Sequence, residues 1–384
     1  MANLLWLELI SAVFVAMYFP IALVQTAGIV RGLLFRPIPT FLPPKPGRRI
    51  ITVICTNGQN PEVVQQILAR VQSYGFPIEQ FVIKEERDGF SYSAREIVVP
   101  KIYRAPKGSR NKMRALHYGT LWLAEKGYGR ETYIIFMDDD SVVTRDYVRY
   151  VYGMPYDAGQ GMIHLRAVGH HLLSTLADFI RVTDCEVFCR QFNRGHVPRI
   201  AHGEGLVVRA DVAAGIGWDY GTYGAEDLLM ALYVYTRGYR FGFIPAYVEI
   251  SPPTSRSDFF KQRRRWLFSF FRAGPVIREV SPFTYYFGIY RYILGWTGFI
   301  GIYLLVADNV LLLPIDPLVF SMSAFNLVAY FLAYQYGAAS LHSWKYSLKM
   351  LALQFVVAFY EGGTVILSVF RPPSKTSFEV IRKV

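Results

Sequence analysis

Cysteine is scarce in this chain: three residues, Cys55, Cys185 and Cys189, in 384. Three thiols cannot all pair, so a scaffold stapled by disulfides is excluded and free thiols in a reducing compartment are expected. Cys185 and Cys189 stand one helical turn apart. No ligand cluster accompanies them in the sequence, so packing is their expected role rather than metal binding. Acidic residues are also few, 29 Asp and Glu against 41 Lys and Arg, which leaves a net charge of +12. No helix-turn-helix, RNP or zinc-finger pattern accompanies that charge, so nucleic acid is not an expected partner. Internal repeats and low-complexity tracts are absent. The first apolar stretch has no basic start and no small-residue cleavage site, which argues for a retained anchor rather than a removed signal peptide.

Apolar character is plentiful instead. Hydrophobic residues make up 52% of the chain and the mean hydropathy is +0.23, more than one soluble core needs. Leu4 to Gln25 is apolar apart from Glu8 and long enough to span a bilayer. Arg31, Arg36, Lys45, Arg48 and Arg49 follow it, which by the positive-inside rule puts this side in the cytoplasm. Further candidate spans are Tyr292 to Leu313, Leu318 to Tyr336 and Tyr346 to Phe370. The expected organisation is an N-terminal anchor (1–30), a Pro-rich basic linker (31–48), a catalytic domain (49–272), an interfacial segment (273–291), C-terminal transmembrane helices (292–370) and a basic tail (371–384). One span before a cytoplasmic domain and three after it would put the tail outside, yet the tail carries Arg371, Lys375, Arg382 and Lys383. One segment is therefore expected to be re-entrant or interfacial, and the Glu361-Gly362-Gly363 break marks the last as a candidate.

Between the apolar ends, strands alternate with helices. Ile50 to Ile54 and Tyr133 to Met137 read as buried parallel strands, with another near Gln80 to Lys84. Pro61 to Ser73 and Lys112 to Lys126 read as helices. The pattern implies a doubly wound α/β sheet, whose ligands bind beyond the carboxyl ends of the strands.

Four motifs carry chemistry. Asp138, Asp139 and Asp140 follow a strand directly; carboxylates there can hold a divalent cation, Mg2+ or Mn2+, that neutralises the diphosphate of a nucleotide-sugar. Glu226 and Asp227 open a helix, and a carboxylate there can take the proton of an acceptor hydroxyl. Asp227 is the expected base, with Glu226 orienting it or binding acceptor. Gln262-Arg263-Arg264-Arg265-Trp266 offers cations for a departing diphosphate and an indole that could stack on a sugar, Arg263 and Arg264 reading equally as a basic membrane-proximal stretch. Lys112 opens a helix after a basic loop, which suits phosphate.

These elements, in this order, resemble the family 2 glycosyltransferases. The resemblance implies a GT-A fold, an α/β domain with a mostly parallel mixed sheet and membrane helices on both sides, and an inverting transfer. It implies Asp140 at the metal, Asp138 and Asp139 at the nucleotide side and Asp227 as base, with Ala225 where the family motif has Thr. Gln262, Arg265 and Trp266 match the Gln-x-x-Arg-Trp motif of membrane synthases. The block from Ala225 to Phe268 is similar to the egghead-type β-mannosyltransferases, as is Val53 to Gly58, which puts Thr56 among the nucleotide-sugar-binding residues. That likeness implies a GDP-mannose donor and, in animal members, a glycolipid acceptor. Glu85 falls where an Asp usually contacts the nucleoside, which keeps a UDP-sugar open. His202 and Glu204 fall in a loop expected to line the donor or acceptor site. The expected partners are a nucleoside diphosphate sugar, a lipid-linked or saccharide acceptor and the bilayer. Two alternatives are a processive polysaccharide synthase using a UDP-sugar and a membrane protein that binds or transports nucleotide-sugars.

Overall fold

The structure is a computed structural model and describes residues 2–35, 40–166, 171–190, 198, 200–222, 224–294, 306 and 316–373. The chain begins with a long apolar helix, α1 (Ala2–Leu34). An α/β domain follows: β1 (Arg49–Thr56), α2 (Pro61–Gln72), β2 (Ile78–Glu85), β3 (Arg95–Val99), α3 (Asn111–Glu125), β4 (Thr132–Asp138), β5 (Ser141–Val143), α4 (Arg145–Gly153), β6 (Ala158–Leu165), α5 (Leu172–Asp184), β7 (Leu206–Arg209), α6 (Ala210–Ile216), α7 (Glu226–Thr236) and β8 (Phe241–Ile250). Helix α5 widens at its end into a π-turn, Cys185–Cys189. The helices α8 (Arg256–Val280), α9 (Pro317–Ala339) and α10 (Trp344–Phe370) complete the described chain, with residues 282–294 largely helical between α8 and α9.

The eight strands form one sheet in the order β3-β2-β1-β4-β7-β6-β8-β5. The first four run parallel, with Cys55 beside Asp138 and Thr56 beside Lys84 at their carboxyl ends. The result is a mixed, mostly parallel sheet. Its parallel half is buried on both faces, which is why its strands are runs of Ile, Val and Phe: Ile51, Val53, Ile54, Phe81, Val82, Ile83 and Ile135 are all fully buried. β7 enters antiparallel against β4, pairing Leu206 with Phe136, so the loop before β7 and the acidic run after β4 share one edge of the sheet.

Three helices are long and apolar enough to cross a membrane: Glu8–Leu34, Pro317–Ala339 and Trp344–Phe370. They correspond to three of the four expected spans; the fourth, Tyr292 to Leu313, lies outside the described residues beyond Leu294 except at Val306, as do linker residues 36–39 and tail residues 374–384. The expected break at Glu361-Gly362-Gly363 is absent: α10 runs through it without interruption. Glu361 stays in the helix because Arg263 of α8 meets its carboxylate at 2.7 Å, so the charge is paired where it stands.

Candidate functional site

The site assembles at the carboxyl edge of the parallel strands. Asp138 ends β4, and its Oδ1 accepts a hydrogen bond from Lys112 Nζ at 2.6 Å. The same ammonium lies 3.1 Å from Glu226 and 3.8 Å from Asp227. Lys112 therefore joins the acidic run to the second acidic motif, two segments separated by almost ninety residues. Both partners are delivered by backbone in the left-handed region: Asn111 has φ 53 and Ala225 has φ 55, immediately before Lys112 and Glu226. Such conformations cost non-glycine residues of order 1–2 kcal/mol and persist where the surroundings impose them.

Burial raises the Asp227 carboxyl well above its ordinary range; Lys112 opposes that rise, and Glu226 and Asp138 add to it. Burial works against the Lys112 ammonium, but Asp138, Asp227 and Glu226 outweigh it and hold the charge firmly on. A protonatable carboxyl beside a fixed cation is the electrostatic pattern of a general base at an anion site.

The loop before β7 closes against this pair. A Cβ on Gly203 would stand 2.7 Å from Asp227 Oδ1, so a side chain there would push the carboxylate aside. Glu204 accepts from Arg181 of α5 at 2.7 Å, and Arg181 lies over the Trp266 ring at 4.8 Å. Trp266 is also approached by Arg263, 4.7 Å from the ring centroid. The α8 motif thus reaches the acidic pair through the loop. Ser269, further along α8, packs on the turn before Glu226, since a Cβ on Gly224 would stand 2.3 Å from its Oγ.

The other expected residues fall as follows. Thr56 Oγ1 donates to Asp139 Oδ2 at 3.5 Å, which ties the end of β1 to the acidic run. Asp140 is 7% exposed, just beyond β4. Glu85 ends β2 and pairs with Arg114 of α3. Gln262 is fully buried and accepts from Arg263 at 2.7 Å; Arg265 is half-buried. Arg263 corrects its reading as a membrane-proximal surface cation: it is 5% exposed and held by Asp178 at 3.0 Å as well as by Glu361. Cys185 and Cys189 also gain a neighbour that their spacing did not show, because His202 lies beside them.

Several residues that position the site carried no sequence signal. Asp219 accepts from the backbone N–H of Ser109 at 3.1 Å and from that of Lys107, while Ser109 Oγ accepts from Tyr220 N at 3.0 Å. This reciprocal clasp shapes the loop leading into Lys112. Asp88 caps Phe90 N and binds Tyr92 at 2.9 Å. Asp178 and Arg181 look like ordinary helix residues in the sequence. The Gly-Trp-Asp-Tyr-Gly run at 217–221, with positive φ at both glycines, was the one available hint of a built loop.

The sequence profile of Glycosyl transferase family group 2 matches residues 133–341, more than half the chain. The chain belongs to that family. Among curated proteins, this glycosyltransferase is 30% identical over 230 residues to the β-1,4-mannosyltransferase egh of Drosophila melanogaster, covering 56% of this chain and 50% of that one. It is also 30% identical over 182 residues to the β-1,4-mannosyltransferase bre-3 of Caenorhabditis elegans, covering 45% and 40%. The chain thus spans about half the length of the curated relatives it matches, or less. Among solved structures it is similar to a mannosyltransferase of Pyrobaculum calidifontis in complex with GDP-Man and Mn2+, at TM-score 0.48 and 15% identity, covering 95% of this chain and 98% of that one. At that similarity no property is carried across from it.

Proposed function

We propose that this glycosyltransferase moves a mannosyl group from GDP-mannose to a hydroxyl of a lipid-linked or saccharide acceptor, with inversion, at the cytoplasmic face of a membrane. The observation that carries the reading is Lys112, whose ammonium bridges Asp138 at 2.6 Å and the Glu226–Asp227 pair. The proposed base and a fixed cation thus belong to one pocket. The mannosyl identity rests on the two β-1,4-mannosyltransferase relatives.

In this reading Asp227 takes the proton from the acceptor hydroxyl as its oxygen attacks the anomeric carbon. The bond to the donor phosphate breaks in the same displacement, and the electron pair leaves with the nucleoside diphosphate. Lys112 stabilises that leaving charge, and its helix N-terminus adds to the effect. Arg265 and the buried Gln262 amide serve the same end from α8, and Trp266 closes the pocket. Thr56, Glu85, Asp138 and Asp139 bind the nucleotide side, and the loop with His202 and Glu204 lines the sugar.

Three successive carboxylates at a strand end are hard oxygen donors and fit a divalent cation, Mg2+ or Mn2+, with Asp140 as its principal ligand. When bound, that ion supplies Lewis-acid neutralisation of the diphosphate. The proposed division of labour keeps residues 49–272 for catalysis, with 1–30 and 292–370 anchoring it and 273–291 at the interface. A donor screen on membranes carrying the protein, with GDP-mannose, UDP-glucose and UDP-N-acetylglucosamine, tests the assignment. Turnover of GDP-mannose alone is expected; exclusive use of a UDP-sugar would replace it.

A further inference from the structure

Away from the carboxylates, Cys185, Cys189 and His202 bring Sγ, Sγ and a ring nitrogen within 4.8 Å of one another. We propose that these three side chains form a second metal site, for a thiophilic divalent ion such as Zn2+, that clamps the 200–205 loop onto the end of α5.

The geometry fits such an ion. Tetrahedral zinc with bonds of about 2.3 Å to sulfur and about 2.0 Å to nitrogen sets sulfur and nitrogen ligands about 3.5 Å apart. Cys185 Sγ and His202 Nε2 are separated by 3.5 Å. Nε2 faces the Cys185 sulfur and would be the ligating nitrogen, with Nδ1 turned to the Glu204 carbonyl at 3.0 Å as its outer partner. A fourth donor is at hand in the Gly161 carbonyl oxygen, 3.2 Å from Nε2 and 3.6 Å from Cys185 Sγ. Both cysteines are 2% exposed. Two thiolates, a neutral imidazole and a divalent cation sum to zero charge, the combination that burial penalises least. Binding releases the two thiol protons to solvent.

Local backbone supports the same reading. The two cysteines bound a π-turn, a departure from helical geometry that recurs at functional positions. The spacing is Cys-x3-Cys followed by His after twelve further residues, close to that of small zinc modules. The carboxylates at 138–140 offer only oxygen, so the two sites would sort hard from soft ions. The consequence is mechanical. The loop that receives the ion carries Gly203 against Asp227 and Glu204 against Arg181, so an ion at the cysteines would fix the wall of the acidic pocket.

The test uses the full-length protein in detergent, stripped of metal under reducing conditions and titrated with Co2+. Thiolate ligands give cobalt a sulfur-to-metal charge-transfer absorption that carboxylates cannot produce. The expected result is that band at one equivalent, displaced by Zn2+, abolished in Cys185→Ser/Cys189→Ser and weakened in Cys189→Ser alone. The conservative single variant, checked for an unchanged circular dichroism spectrum, separates lost ligation from lost fold. His202→Asn is expected to shift the band and weaken Co2+ affinity at least tenfold. The absence of a charge-transfer band in folded wild-type protein would overturn the proposal. So would its persistence in the double variant, or alkylation mass spectrometry showing Cys185 and Cys189 joined as a disulfide in the protein as purified.

Discussion

Gly203 lies so close to Asp227 that a single added carbon would meet the carboxylate at 2.7 Å. The contact joins a loop before an antiparallel strand to the first turn of α7. Gly203→Ala is expected to displace the Asp227 carboxylate while leaving the sheet intact. Misplacing a reacting group by an ångström costs on the order of 100-fold, so kcat/KM should fall by about that factor with little change in Tm. Steady-state transfer assays beside thermal unfolding would check both halves.

Lys112 sets the charge state of the pocket. Burial raises the Asp227 carboxyl, and Lys112 opposes that rise. A base works only when ionised, so transfer declines as pH falls through its pKa. Removing the cation in Lys112→Gln lets that pKa climb further. The acid limb of kcat/KM against pH is therefore expected to move to higher pH, with a lower plateau because the leaving phosphate loses a partner. A limb that stays in place would uncouple Lys112 from the base.

Arg263 is predicted to matter for stability before chemistry. It is 5% exposed and pairs with Asp178 at 3.0 Å and Glu361 at 2.7 Å, joining α8 to α5 and to the membrane-length helix α10. Arg263→Met would take a partner from both carboxylates, leaving the buried Asp178 with Arg181 at 3.5 Å, a loss of roughly 3 kcal/mol. The thermal midpoint should fall by several degrees. Arg263→Met combined with Asp178→Asn and Glu361→Gln should recover part of it. The neighbouring Arg264→Met, whose guanidinium is partly exposed and donates to the Arg371 carbonyl at 2.9 Å at the end of α10, should shift it less.

Asp219 gives a pH signature of the opposite kind. Burial pushes its carboxyl up, but the hydrogen bonds from Lys107 and Ser109 win and hold it below its ordinary 3.8. A carboxylate depressed in the folded state stabilises above its unfolded pKa and loses that contribution as pH falls through the lowered value. Asp219→Asn should therefore be less stable than wild type at neutral pH, and the difference should shrink below about pH 4. Because Asp219 shapes the loop before Lys112, the variant should also raise KM for the donor. Unfolding midpoints across pH would check the first effect.

The parallel half of the sheet could be read from sequence because buried parallel strands are unbroken apolar runs, such as Ile50 to Ile54 and Tyr133 to Met137. The mixed half could not. β6 is rich in glycine because backbones crowd it: a Cβ on Gly159 would stand 2.6 Å from the Gly242 oxygen, and one on Gly161 2.4 Å from that of Ala246. β8 carries a proline and a glycine, and β7 has four residues. All three look like loop in a chain. The acidic motifs were legible because their residue types are rare after apolar runs. Their linkage through Lys112 was not, and neither was the Arg263 network, whose partners lie 85 and 98 residues away in sequence. His202 likewise meets the cysteines only once β6 and α5 are packed.

The central claim is that Asp227 is the base of a mannosyl transfer. Single-turnover assays in proteoliposomes, with labelled GDP-mannose, a lipid-linked saccharide acceptor, Mg2+ or Mn2+, and wild type beside Asp227→Asn, address it most directly. Wild type is expected to release GDP and form a β-mannoside in equal amounts, and Asp227→Asn to bind donor with unchanged affinity but transfer at least ~100-fold more slowly. Transfer by Asp227→Asn at the wild-type rate would contradict the account.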